Sequence, residues 1–234
     1  MPEGPEVLMM TKLLTRLRDE IKITLFDRYL NRELRKYDDL RKFAEKTHVF
    51  KRVFKKGKHT FVEFENADSQ IKNIIHLRYG LRGEITEEKT EYTKLIFGTT
   101  DGSVNLYFND QIGYGDISVL NPDEAKEVLD NIGPNVENLA NFEQYYDQVS
   151  LYNGKKPIAE LLVNQSYISG IGNYLRSEIL YDARVYPLKK SSEVTQEEHM
   201  RISESINKLW TRVLSDYPDY QCRAYGNRQF ASDN

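Results

Sequence analysis

Met1-Pro2-Glu3-Gly4-Pro5-Glu6 is the stretch on which the reading of this chain turns. A small residue after the initiator methionine favours removal of that methionine, leaving Pro2 with a free secondary amine. An α-amine has a reference pKa of about 8, so about a tenth or more of it is unprotonated at neutral pH. Such an amine attacks an electrophilic carbon and forms an iminium, as lysine does in Schiff-base enzymes. Glu3 places a carboxyl beside it. Gly4 loosens the turn, Pro5 suits the first position of a helix, and Glu6 falls in the first helical turn, where the dipole favours an anion. Read as chemistry, the stretch is a nucleophile and an acid on a rigid turn. Read plainly, it is a frayed terminus of turn-forming residues.

Outward from this turn, residues 5 to about 20 read as a helix, with Val7, Met10, Leu14 and Leu17 on one stripe. Residues 21 to 120 then read mostly as short strands. Ile21–Phe26, Thr60–Glu65, Lys94–Phe97 and Val104–Phe108 are rich in β-branched and aromatic residues, and a short helix is expected over Asp38–Lys46. Turn signals at Lys56-Gly57-Lys58 and Thr100-Asp101-Gly102-Ser103 separate the runs. This spacing predicts a two-sheet β-sandwich. After Pro122 the period changes to helical, with helices expected over 123–131, 157–164, 174–182 and 196–215 and a break at Gly133-Pro134. The expected class is α+β: a β-sandwich domain with a leading helix over 1–121, a linker and short helix over 122–145, a helical domain over 146–224, and a stub over 225–234.

A 39% hydrophobic and 29% charged composition excludes a disordered chain, and no apolar run approaches a membrane span. No signal-peptide pattern opens the chain, so an intracellular protein is expected. Cys222 is the single cysteine, which excludes an internal disulfide and a multi-cysteine zinc site within these residues. The net charge of −3 argues against a nucleic-acid partner until its distribution is seen. Arg41, Lys42, Lys46, Lys51, Arg52, Lys55, Lys56 and Lys58 form a basic block, whereas acids dominate residues 84–147. That pattern reads equally as a basic face with an acidic back and as a blocky solvated surface.

Three further constellations carry chemistry. Asn164-Gln165-Ser166-Tyr167-Ile168-Ser169-Gly170-Ile171-Gly172-Asn173-Tyr174 joins two helices. Gly170 and Gly172 permit close backbone approach, and Asn173 is a good N-cap, so the next helix offers an anion site suited to a phosphate. The plain reading is an ordinary helix–turn–helix connection. Lys56 and Lys58 flank a strand turn, from which a lysine reaches a phosphate or simply meets water. The loops Arg78–Gly83 and Asp110–Gly115 hold Leu81, Ile112 and Tyr114 among glycines. Such side chains either wedge into a base stack or cap the sandwich core.

Together, in this order, these features resemble the formamidopyrimidine-DNA glycosylase/endonuclease VIII (Fpg/Nei) family. The Pro-Glu-Gly-Pro-Glu start is similar to that family's terminal signature, Ile132-Gly133-Pro134 to its interdomain Gly-Pro, and Leu161–Leu180 to its helix–two-turn–helix motif. The resemblance implies a bifunctional DNA glycosylase/AP lyase of base excision repair, acting as a monomer on damaged double- or single-stranded DNA, with no metal and no cofactor. It implies catalytic roles for Pro2 as Schiff-base nucleophile, Glu3 as proton donor to the sugar, Glu6 as support and Lys58 as phosphate grip, followed by β,δ-elimination. It implies DNA contacts by Asn173, Gly170, Gly172, Lys56, Leu81, Ile112 and Tyr114.

The chain departs from the family pattern at three places. Ile112 stands where the family's void-filling loop has arginine, and Tyr114 where it has phenylalanine. Tyr225-Gly226-Asn227-Arg228 resembles the lead-in to the family's C-terminal finger, and the chain resembles a finger-less or finger-truncated member. The stretch Val213–Gly226 is short, which leans toward the Nei branch and oxidised pyrimidines. The missing arginine and finger leave a non-catalytic damaged-DNA-binding module as the alternative.

Overall fold

The computed structural model describes residues 1–26, 38–139, 141–152 and 154–216. Helix α1 (Gly4–Leu14) opens the chain and is followed by β1 (Glu20–Leu25) and α2 (Asp38–Ala44). Seven strands come next: β2 (Thr47–Lys56), β3 (His59–Asn66), β4 (Lys72–Arg78), β5 (Gly83–Thr86), β6 (Thr93–Thr99), β7 (Asn105–Asp110) and β8 (Asp116–Leu120). Then come α3 (Pro122–Asp130), α4 (Phe142–Ser150), α5 (Ile158–Leu162), α6 (Asn173–Asp182) and α7 (Gln196–Asp216). The stretch 217–234, with the finger lead-in and most of the short segment after Val213, lies outside the described residues.

The expected two sheets are one antiparallel ladder in the order β5-β7-β6-β1-β2-β3-β4-β8. It nevertheless makes two layers, because the ladder coils and its ends share one core. Ile85 and Phe108 from one end meet Leu77 and Ile117 from the other in a single buried cluster, and the Tyr79 and Phe108 rings stack at 5.9 Å. The coil is sharp near β1–β2, where only Glu20↔Val49, Ile21↔His48 and Lys22↔Thr47 pair, and a bulge interrupts β2 between Phe50 and Arg52. Strand spacing alone does not distinguish a coiled ladder from two sheets, since both present alternating buried residues.

Helix α1 lays Val7, Met10 and Leu14 on this core, the stripe its 3.6-residue period requires. It ends at Leu14, earlier than expected, though Leu17 is still buried. Helices α4 to α7 enclose a second core around Tyr145, Ile168, Ile179 and Ile206. Helix α4 was not expected; capped by Asn141, it spans residue 146 and buries Tyr145 and Val149. A third, small cluster of Phe61, Ile74, Ala125 and Ile132 seats α3 on the outer face of β3 and β4. No helix among the described residues is long and apolar enough to cross a membrane.

Candidate active site

The terminal turn lies between the ladder and the helical half, plugged into the loop that precedes α6. The Gly4 amide donates to the Gly170 carbonyl at 2.8 Å. Gly170 holds φ +107°, a conformation that favours glycine, and a Cβ on Gly4 would collide with Trp210 of α7. Gln165 braces the loop: its side-chain oxygen accepts from the Gly170 amide, and its Nε2 donates to the carbonyls of Val163 and Ile171. Glu6 fixes the turn from inside, accepting from the Glu3 amide at 3.0 Å and from the Tyr174 hydroxyl at 2.6 Å.

This geometry brings Glu3 to the N-terminus of α6. Its carboxylate accepts from the amides of Gly172 at 2.6 Å, Tyr174 at 3.0 Å and Leu175 at 3.2 Å. The anion site expected for a phosphate therefore exists, and Glu3 fills it. The residue at the N-cap is Gly172; Asn173, expected there, is the first helical residue and stays exposed. Glu3 is 2% exposed, and burial pushes its carboxyl up to about 7, against the pull of the Lys58 ammonium and the three amides. Burial likewise holds the Lys58 ammonium below the usual lysine range, against the attraction of Glu3 and Glu6. A carboxyl poised near neutrality beside a cation suits proton donation at physiological pH. Substituting Gly172 by alanine would drive its Cβ into Glu3 Oε1 and Lys58 Nζ. The backbone there is extended, so we expect Gly172→Ala to fold while losing at least about tenfold in turnover, read by steady-state kinetics beside circular dichroism.

A cleft of about 1180 Å³ opens over the turn, lined by Pro2, Lys58, Gly172 and Asn173 on one side and by Ile112 and Tyr114 on the other. Met1 lines it too, so its removal would expose the Pro2 amine to the cleft. Leu81, Ile112 and Tyr114 are 42%, 44% and 67% exposed, so they do not cap the core. Their loops are tied to each other by Arg82, which donates to Gln111 at 2.8 Å.

Lys56 does not join this cleft. Its ammonium donates to the Leu129 carbonyl at 2.7 Å, at the end of α3. Gly170 supports the site through its carbonyl and does not line the cleft.

Four contributors were missed in the sequence. Asp110 organises the 110–115 loop, Tyr174 anchors Glu6, Gln165 braces the two-turn loop, and His59 lines the cleft. Asp110 left a local signal as an aspartate at the start of a glycine-rich turn, and Gln165 and Tyr174 lie within the two-turn stretch 164–174, but nothing local showed what their side chains or that of His59 would touch.

A helix-opening N-terminal turn that lines a cleft between a coiled antiparallel ladder and a helix–two-turn–helix unit defines a class of two-part α+β proteins. Residues 1–117 match the formamidopyrimidine-DNA glycosylase N-terminal domain, and residues 132–216 match the formamidopyrimidine-DNA glycosylase H2TH domain. The chain belongs to the formamidopyrimidine-DNA glycosylase family, whose members are DNA repair glycosylases with AP lyase activity.

The formamidopyrimidine-DNA glycosylase of Wolbachia pipientis from Culex pipiens is 30% identical over 228 residues, covering 92% of this chain and 79% of the relative. That of Lactiplantibacillus plantarum is 27% identical, over 88% of this chain and 75% of the relative. Among solved structures, MutM (Fpg) of Thermus thermophilus superposes with a TM-score of 0.68 at 20% identity, covering 92% of this chain and 76% of its own. The Lactococcus lactis Fpg in complex with DNA containing an abasic site superposes at 0.71 and 18% identity, covering 91% and 78%. These two structural likenesses establish the fold.

Proposed function

We propose that this chain excises oxidised bases from DNA through a Schiff base on Pro2. The observation that carries this reading is the meeting, across more than 160 residues of sequence, of the buried Glu3 carboxyl with the first amides of α6, at the wall of the cleft that Pro2, Lys58 and Gly172 line. The freed Pro2 amine attacks sugar C1′, and the base leaves with the C1′–N bonding pair and takes up the proton that the amine sheds. Glu3 gives its proton to the ring oxygen, the ring opens, and an iminium forms between proline nitrogen and C1′. The iminium is an electron sink, so loss of the C2′ proton expels the 3′ phosphate, and a second elimination expels the 5′ phosphate. Lys58 and Asn173, which line the cleft, grip phosphates beside the lesion; Ile112 and Tyr114 from the cleft wall and the exposed Leu81 from the neighbouring loop fill the void left by the flipped base, a role supported by their exposure. Ile112 fills space without a hydrogen bond to the orphaned base, so discrimination of the opposite base is expected to be weak.

The preference for oxidised pyrimidines rests on the short stretch after Val213. The Lactococcus enzyme has been seen with both an N7-benzyl-Fapy-dG and an oxidised pyrimidine in its DNA, so the fold admits both kinds of base. Single-turnover excision from duplexes carrying either an oxidised pyrimidine or 8-oxoguanine tests the preference; equal rates would remove it.

Borohydride trapping on a duplex with one abasic site tests the chemistry, using protein whose loss of Met1 is confirmed by mass. A covalent adduct that maps to Pro2 is expected. Intact DNA binding with no adduct would replace the lyase by the binding-module reading.

A further inference from the structure

We propose that His59, backed by His76, is a phosphate contact at the edge of the cleft that takes up one proton as DNA binds, a reading that rests on DNA being the substrate. The two histidines come from neighbouring strands. In the β3–β4 register His59 faces Arg78 and Phe61 faces His76; in the β4–β8 register Arg78 faces Asp116 and His76 faces Ser118. Directly opposed residues share a face of the sheet, so these side chains form one patch. Within it His59 Nδ1 lies 2.8 Å from His76 Nε2, and the rings overlap at 5.0 Å. His76 stacks flat on Phe61 at 4.7 Å, and its Nδ1 lies 3.5 Å from Ser118 Oγ. His59 is half-buried and lines the cleft beside Lys58; His76 is 6% exposed and sits behind it.

The ring-to-ring contact limits how many protons the pair can hold. A short N···N contact needs one proton between the rings. Two neutral imidazoles satisfy it and leave one further N–H, either on His59 Nε2 or on His76 Nδ1. A third proton occupies both outer nitrogens, so the singly charged pair always presents an N–H at His59 Nε2. A fourth would set two N–H groups head to head. The pair is thus a one-proton acceptor whose charged form gains a donor on the cleft side.

The charged groups acting on the pair are Arg78 on β4, Lys58 in the turn before β3, and Asp116 on β8, which is bound to Arg78 at 2.7 Å. Lys94 and Asp110 line the same cleft as a closed ion pair, and α3 brings apolar Ala125 and Leu129 to the cluster around Phe61. Burial and the neighbouring cations push His59 down to about 4 and His76 to about 3, so the free protein holds the pair neutral at pH 7. A DNA phosphate against Nε2 supplies the opposite charge and offsets both effects. Two rings sharing the added charge accept it at lower cost than one, and this is the part His76 plays without touching DNA.

The test uses Glu3→Gln protein, which removes the Glu3 titration from the same pH range and keeps the DNA uncleaved. Its affinity for a duplex containing a tetrahydrofuran abasic analogue, measured at constant salt, is expected to rise by up to about tenfold for each pH unit lowered from pH 7 to 5. Adding His59→Phe or His76→Phe is expected to flatten that slope while binding persists at pH 7. Equal slopes in all three proteins would overturn the proposal. Imidazole ¹⁵N shifts in the Glu3→Gln protein give a reading free of folding effects. One imidazolium shared by His59 and His76 is expected with DNA bound, and two neutral rings would overturn it. Failure to bind DNA at any pH would instead defeat the DNA-glycosylase reading and this inference with it.

Discussion

Glu3→Gln is expected to abolish base removal, with a loss of at least about 100-fold, because glutamine fills the same space and has no proton to give the sugar oxygen. The same substitution is expected to change how stability depends on pH. Glu3 titrates near its ordinary value of 4.5 when unfolded and at about 7 when folded. Between those values the folded protein binds more protons than the unfolded chain, so unfolding free energy falls as pH rises. The contribution is complete below the unfolded value and lost once pH passes the folded one. The size is about 3 kcal/mol between pH 4 and 8, because each tenfold change in proton affinity is worth about 1.4 kcal/mol. Denaturant titrations at pH 5 and 8 check this. The wild type should lose stability over that interval relative to Glu3→Gln, and parallel behaviour would mean that Glu3 is already ionised at pH 5. Activity should in turn need Glu3 protonated and the Pro2 amine free, which places the optimum between about 7 and 8. The buried acid thus costs stability at the pH where it is useful, a trade common at catalytic carboxyls.

Asp110→Ala is expected to be the most destabilising single change in the site, by about 3–5 kcal/mol. The Asp110 side chain is 0% exposed and binds Lys94 at 2.9 Å, itself only 11% exposed. The same carboxylate accepts from the amides of Ile112 at 3.3 Å, Gly113 at 3.0 Å and Gly115 at 2.6 Å. Truncation leaves a buried ammonium and these amides without their acceptor. Asp110→Asn keeps one acceptor oxygen and should cost less than half as much. Because the loop carries Ile112 and Tyr114 into the cleft, both variants should also weaken binding to lesion duplex. Thermal unfolding and an equilibrium binding titration separate the two effects. Unchanged melting in Asp110→Ala would show that the Lys94–Asp110 pair contributes nothing net.

Much of the architecture was legible before any coordinates. The stripe Val7-Met10-Leu14 announced α1, the β-branched runs announced β1, β3, β6 and β7, and the glycines around Ile171 announced the two-turn loop ahead of α6. Helix α4 was missed although Phe142, Tyr145, Tyr146 and Val149 recur at the helical i, i+3, i+4, i+7 spacing; the stripe is short and mostly aromatic among polar residues, and reads as linker until Tyr145 and Val149 are seen to be buried. Lys56 and Lys58 are two residues apart and look alike in sequence. The strand turn sends the first to the Leu129 carbonyl and the second to the cleft beside Glu3.

The sequence by itself determined the terminal Pro-Glu-Gly-Pro-Glu turn, the local elements and the presence of an anion site at the start of α6, since these follow from residue chemistry and short-range periodicity. Only the tertiary structure decided which anion occupies that site. Coiling the ladder and docking it on α7 carry Glu3 to Gly172, Tyr174 and Leu175 and remove it from water. The same packing pairs His59 with His76 and raises the Glu3 carboxyl to about 7. Desolvation and close pairing depend on what the whole chain places around a group, and neighbours distant in sequence leave no trace in its local pattern.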